Sequence, residues 1–152
     1  MTQPLADQLA GRGRRLVATL IDMILVSALA VLLIMITGVV EHAEDFRNAM
    51  WVLYVFLLAV LSYLILNGYW LFTRGQTIGK RLMKIAIVDN TSGERAPFWK
   101  LIGIRALFFP LLFTVISPFL AWLPIVDQAF VFRKNRRCVH DLAAGTSVIR
   151  LK

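Results

Sequence analysis

The chain has 152 residues, 59% of them hydrophobic, and a formal net charge of +8. Its mean hydropathy of +0.71 is too high for a soluble domain, where roughly 45–50% apolar residues are usual, and the length leaves no room for a second domain. The positive charge argues against nucleic acid by its placement: it collects in short segments between apolar runs, which is how membrane topology is written.

Residues 1–15 are polar and rich in glycine and arginine, and are read as lying along the membrane surface. The run that follows, 16–40, is the first span. At 1.5 Å per residue it is long enough to cross a bilayer core of roughly 30 Å as a helix. It exceeds the roughly 7–15 residues of a signal-peptide core, carries Asp22 and ends without an Ala-x-Ala site, so it is read as a retained span. Arg15 stands at its mouth and Asp22 is its only other charge. An ionised aspartate near a membrane helix centre costs on the order of 2.5–3.5 kcal/mol, so Asp22 needs a partner or a purpose.

A short acidic loop, EHAEDFRN, leads to a second span over 49–73 without a single charge. Its Trp51, Tyr54, Tyr69 and Trp70 crowd the two ends, as interfacial aromatic belts do. The connector 74–100 is basic. In it Gln76 to Arg81 reads as a polar link, Met83 to Val88 as a short β-rich stretch and Asn90-Thr91-Ser92-Gly93 as a turn. The tail 133–152 ends in TSVIRLK, which alternates β-branched residues. The two β-rich stretches are expected to pair as a small cytoplasmic ribbon.

Residues 101–132 form one apolar run interrupted by Pro110, Pro118 and Pro124. As one helix it would reach roughly 48 Å, too long for a single crossing. Of the 17 lysines and arginines, all but Arg47 and Arg105 lie in 1–15, 74–100 and 133–152. Two spans place the first two clusters on one side. For the third to join them, 101–132 must enter and return, as two short helices of about 101–116 and 119–132 turning at Ser117-Pro118. The rival is one tilted, Pro-kinked span with the tail outside. The expected fold is an all-α membrane protein of four apolar helical segments with a small cytoplasmic β-ribbon.

Counted from the basic boundaries, Asp22, Asn67, Arg105 and Asp127 all fall roughly 8–10 Å into the membrane. Each comes from a different apolar segment. This layer suggests that Asp22 faces Arg105, with Asp127 as second carboxylate and Asn67 as a neutral hydrogen-bonding group, leaving one negative charge for a proton or monovalent cation to balance. The same network could equally lock helix register and carry no traffic. Arg15 and Asp22 share a helix face but sit two turns apart, so Arg15 is expected to reach lipid phosphate or a cytoplasmic acid such as Asp141.

Enzyme signals are poor: Cys138, His140 and Asp141 are too close in sequence for a catalytic triad, and nothing resembles a nucleophile elbow. The two histidines, His42 and His140, fall on opposite sides of the membrane, so neither a metal site nor any cofactor is expected.

Three motifs resemble the RDD family of small bacterial multi-pass membrane proteins. GRGRRLVATLIDMIL is similar to its opening helix, with Arg15 at the start and Asp22 in the middle; GQTIGKRLMKIAIVD is similar to its connector, Gly75 through Asp89; RRCVHDLAAGTSVI is similar to its closing motif. On that resemblance the family's second aspartate falls on Asp141, while Asp127 lies outside the closing motif. The resemblance covers roughly residues 11–150 and implies transport of ions or small ligands.

Two functions are expected. One is a transporter of a proton, Na⁺ or a small ligand in the bacterial inner membrane, both termini cytoplasmic and homo-oligomeric, with Asp22 titrating, Arg105, Asp127 and Asn67 assisting, and Arg15 and Asp141 as a cytoplasmic latch. The other is a non-transporting scaffold or accessory subunit whose basic cytoplasmic face binds a partner or anionic lipid.

Overall fold

A computed structural model describes residues 8–39, 41, 49–108, 130 and 137–151, with the backbone alone for 49 and 105–108. Two long helices dominate, α1 (Arg12–Ile36) and α2 (Ala49–Arg74), packed against each other. Helix α1 begins four residues before the expected span because its arginines are good helix formers and need no apolar surroundings. It stops where Thr37 turns its hydroxyl back onto the Leu33 carbonyl and Gly38 adopts φ 67°, the left-handed conformation that closes many helices.

Both helices are long and apolar enough to cross a membrane, and only 11% of each apolar window is buried within the protein. The core helix of a soluble protein would be mostly covered. Here Ile24, Met35, Ile36 and Ile65 stand outward, as side chains that meet lipid do.

Helix α2 ends on Gly75 at φ 62°, where an added Cβ would lie 2.8 Å from the Ile87 carbonyl oxygen. Only glycine fits that approach. The exposed carbonyls of Phe72 and Thr73 accept from the Arg95 guanidinium at 2.7 and 3.0 Å, which satisfies the helix C-terminus. The connector then makes a single helical turn, α3 (Ile78–Leu82), which continues into β1 (Ile85–Asp89). A π-helical stretch, Lys100–Phe108, opens the third apolar run. Most of the helices expected over 101–116 and 119–132 lies outside the described residues. The chain returns as α4 (Val139–Ala144) and β2 (Thr146–Arg150).

The expected ribbon is present: β1 and β2 pair antiparallel, with Ile87 opposite Val148 and Asp89 opposite Thr146. The free edge of β2 is used as well. Ala10 donates to the Val148 carbonyl at 2.9 Å and Arg150 to Gln8 at 2.8 Å, with Leu9 bridged to Ile149. Residues from the N-terminus, the connector and the tail therefore meet in one small sheet. The described core lies where this sheet meets the helices, built from Ala10, Ala18, Leu71, Ile85, Ile87, Leu101 and Val148.

Candidate functional site

Asp22 points at the start of α3. Its Oδ1 accepts the Gly79 amide at 2.7 Å, and its Oδ2 accepts the Thr77 hydroxyl. The Lys80 ammonium stands 3.9 Å from Oδ2, with both side chains 13% exposed. One residue earlier, the Ile78 amide donates to Asn67 Oδ1 at 2.8 Å. Thr77 caps the turn by accepting the Lys80 amide at 3.3 Å, and the Arg81 amide reaches the Thr77 carbonyl at 2.8 Å. All four leading amides of α3 are thus satisfied, two of them by side chains from α1 and α2.

Gly79 makes this contact possible. A Cβ there would lie 2.1 Å from the Ala18 carbonyl oxygen and 3.0 Å from the Asp22 carboxyl carbon. Glycine lets the connector's backbone rest directly on α1, and that close approach brings its amides within reach of the carboxylate.

A second ion pair lies where α1 meets the ribbon. Arg15 Nη1 stands 3.3 Å from Asp141 Oδ2, both side chains almost fully buried, and Arg15 Nη2 donates to the Val148 carbonyl at 2.8 Å. Asp141 also accepts the Cys138 amide at 3.2 Å, which caps α4, and the Thr146 hydroxyl at 3.4 Å. A buried carboxylate needs that many partners to stay ionised. Arg137 binds the carbonyls of Thr146 and Asp141 at 2.9 and 3.2 Å and holds the turn closed around Gly145, which sits at φ 64°.

Between the two ion pairs is a cavity of about 170 Å³ lined by Arg15, Thr19, Asp22, Lys80, His140 and Asp141 among others. That is room for several waters or a small hydrated ion. Each carboxylate faces a cation, so the lining carries little net charge while His140 is neutral. By distance alone Cys138, His140 and Asp141 could hold a metal, their ligand atoms lying within 4.8 Å of one another. The Arg15 guanidinium on the same carboxylate opposes a second cation there.

Of the layer expected from depth counting, the described side chains are Asp22 and Asn67. Asp22 and Asn67 do work side by side, but what joins them is the backbone of the connector. Among the described side chains, the charge beside Asp22 is Lys80, carried by a polar link that folds back onto α1. The Arg105 side chain, Asp127 and His42 lie outside the described residues. Thr77, Gly79 and Lys80 were not anticipated. A threonine opening a turn with glycine two residues later is the signal in the sequence that points to them.

Two apolar span-like helices with a polar junction at one end define the class: a mostly helical membrane protein. The RDD family model matches residues 9–145, and the chain belongs to the RDD family. Neither a curated protein nor a solved structure matches the chain. The three residues that the motifs single out, Arg15, Asp22 and Asp141, all line this cavity.

Proposed function

We propose that this protein is a multi-pass transporter of protons or a small monovalent cation in the bacterial inner membrane, with both termini cytoplasmic. The orientation is supported by the ribbon. Residues 8–10, β1 and β2 belong to the three basic segments, and their pairing requires those segments to share one side of the membrane. The positive-inside bias makes that side the cytoplasm, and the run 101–132 then enters and returns.

The observation that carries the transport reading is the looseness of the Asp22–Lys80 pair. At 3.9 Å it is longer than a direct charge-assisted hydrogen bond of roughly 2.7–2.9 Å, whereas Arg15 holds Asp141 more closely and is itself tied to the ribbon. Asp22 borders a cavity in which a proton or cation can take the place of the ammonium. In this scheme Asp22 is the exchanging carboxylate, Thr77 and the Gly79 amide fix its orientation, and Asn67 steadies the turn that carries them. Arg15 and Asp141 latch the cytoplasmic end. Four short segments enclose little volume, so the working unit is a homo-oligomer.

A second reading is favoured by the same bonds. Asp22, Asn67 and Asp141 all satisfy backbone amides, as residues that only fix a fold would, and the protein would then be a scaffold or accessory subunit. Purified protein in liposomes with a trapped pH dye separates the two. Transport predicts proton movement driven by a Na⁺ or pH gradient, abolished in an Asp22→Asn variant that still folds. Wild-type protein that moves neither protons nor Na⁺ leaves the scaffold reading standing.

A further inference from the structure

The end of α2 and the turn α3 bring together an aromatic belt and two arginines whose charge no ion pair among the described residues neutralises. Trp70 and Arg74 are one turn apart and share a helix face, with the Arg74 guanidinium carbon 5.4 Å from the Trp70 ring centroid. From the last turn of α3, Arg81 lays its guanidinium over the same ring at 3.6 Å. Among the described residues neither guanidinium makes a hydrogen bond or ion pair with protein, and both residues are exposed. Two forked donor groups are therefore held in place by stacking, with their N–H groups unspent.

The surroundings say what kind of acceptor fits. Tyr69, on the same end of α2, is 68% exposed and packs edge-on against Trp70, and Leu82, next to Arg81, is 64% exposed. A soluble surface does not usually pair two unneutralised arginines with bare leucine and tyrosine. A membrane interface does: the apolar groups enter the acyl region while the cations stay at phosphate level. Guanidinium is the side chain best matched to a phosphate diester, through two parallel N–H···O bonds.

We propose that Trp70, Arg74 and Arg81 form a site for the phosphate of an anionic phospholipid headgroup, with Leu82 and Tyr69 against its acyl chains. The site pins the connector to the membrane surface at the point where α3 delivers its amides to Asp22. It rests on the membrane placement of α2 and is independent of whether the protein transports anything.

The test is native mass spectrometry of the full chain in detergent, titrated with phosphatidylglycerol and, separately, phosphatidylcholine. Wild type is expected to retain phosphatidylglycerol in preference. Arg74→Gln with Arg81→Gln weakens that binding by about tenfold or more and leaves phosphatidylcholine unchanged. The control, Arg12→Gln with Arg14→Gln, removes the same charge elsewhere and is expected to bind as wild type. Melting without lipid confirms the fold of each variant; should Arg74→Gln with Arg81→Gln unfold it, Arg74→Lys with Arg81→Lys, which keeps the charge and loses the fork, is compared in its place and also binds more weakly. Equal binding by the Arg74/Arg81 variant and wild type overturns the proposal, as does an equal loss in the control. Displacement of the lipid by millimolar inorganic phosphate would point to a soluble ligand and overturn it too.

Discussion

Asp22 shows how far a single residue can be read. Its cost in lipid follows from charge alone, and so does its need for a partner. The partner's identity does not follow, because it depends on an approach that only Gly79 allows. Depth counting treats the spans as the only sources of polar groups, yet the amide of a glycine in a link carries a donor as effective as a side chain. Gly79→Ala tests this. Its Cβ must displace the Ala18 backbone, so α3 lifts from α1 and Asp22 loses its amide. A loss of about 1–3 kcal/mol or more is expected in detergent melting. Gly68→Ala, inside α2 with nothing within 4 Å of its Cβ, is expected to be neutral or slightly stabilising. Similar melting for the two variants would remove the close approach from the account.

At the scale of elements, the long helices and the ribbon were legible and the single turn was not. A largely apolar run of 25 residues announces a helix by length, and alternating β-branched residues around Ile87 and Val148 announce strands. Five residues of α3 are too few for any periodicity to register, and the N-terminal pairing of residues 8–10 has no pattern of its own; it follows from a free edge on β2 that needs covering. The ribbon's far end is tied by Asp89. It accepts the Thr91 amide at 2.9 Å and meets Lys100 at 3.0 Å, and these contacts, the amide first, hold its carboxyl below the usual carboxylate range. A carboxyl depressed by folding contributes stability above its unfolded value and loses it as pH falls through the folded one. Wild type is therefore expected to lose thermal stability between about pH 5 and pH 3 more steeply than Asp89→Asn. Parallel curves for the two would show that the turn, rather than the charge, does the holding.

For the molecule as a whole, the arrangement of charge carried the most information. Three basic segments separated by apolar runs carry the expectation of a shared side, and residues from all three pair in one sheet, which supports it. The fold then gathers Arg15, Asp22 and Asp141, which lie 126 positions apart at the extremes, around one cavity. The pairing of Arg15 with Asp141 is among the sequence expectations; that Asp22 borders the same cavity is not, since spacing along the chain separates it from Asp141. The central claim is that the Asp22 carboxylate exchanges its ammonium for a proton or cation. A hydrophobic carbodiimide, which reacts with protonated carboxyls in membranes, addresses it directly in the native bilayer, with the modified residue found by peptide mass spectrometry. Modification at Asp22 is the predicted result, and slowing by added Na⁺ would mark Na⁺ as the competing cation; an Asp22 that stays unmodified would contradict it.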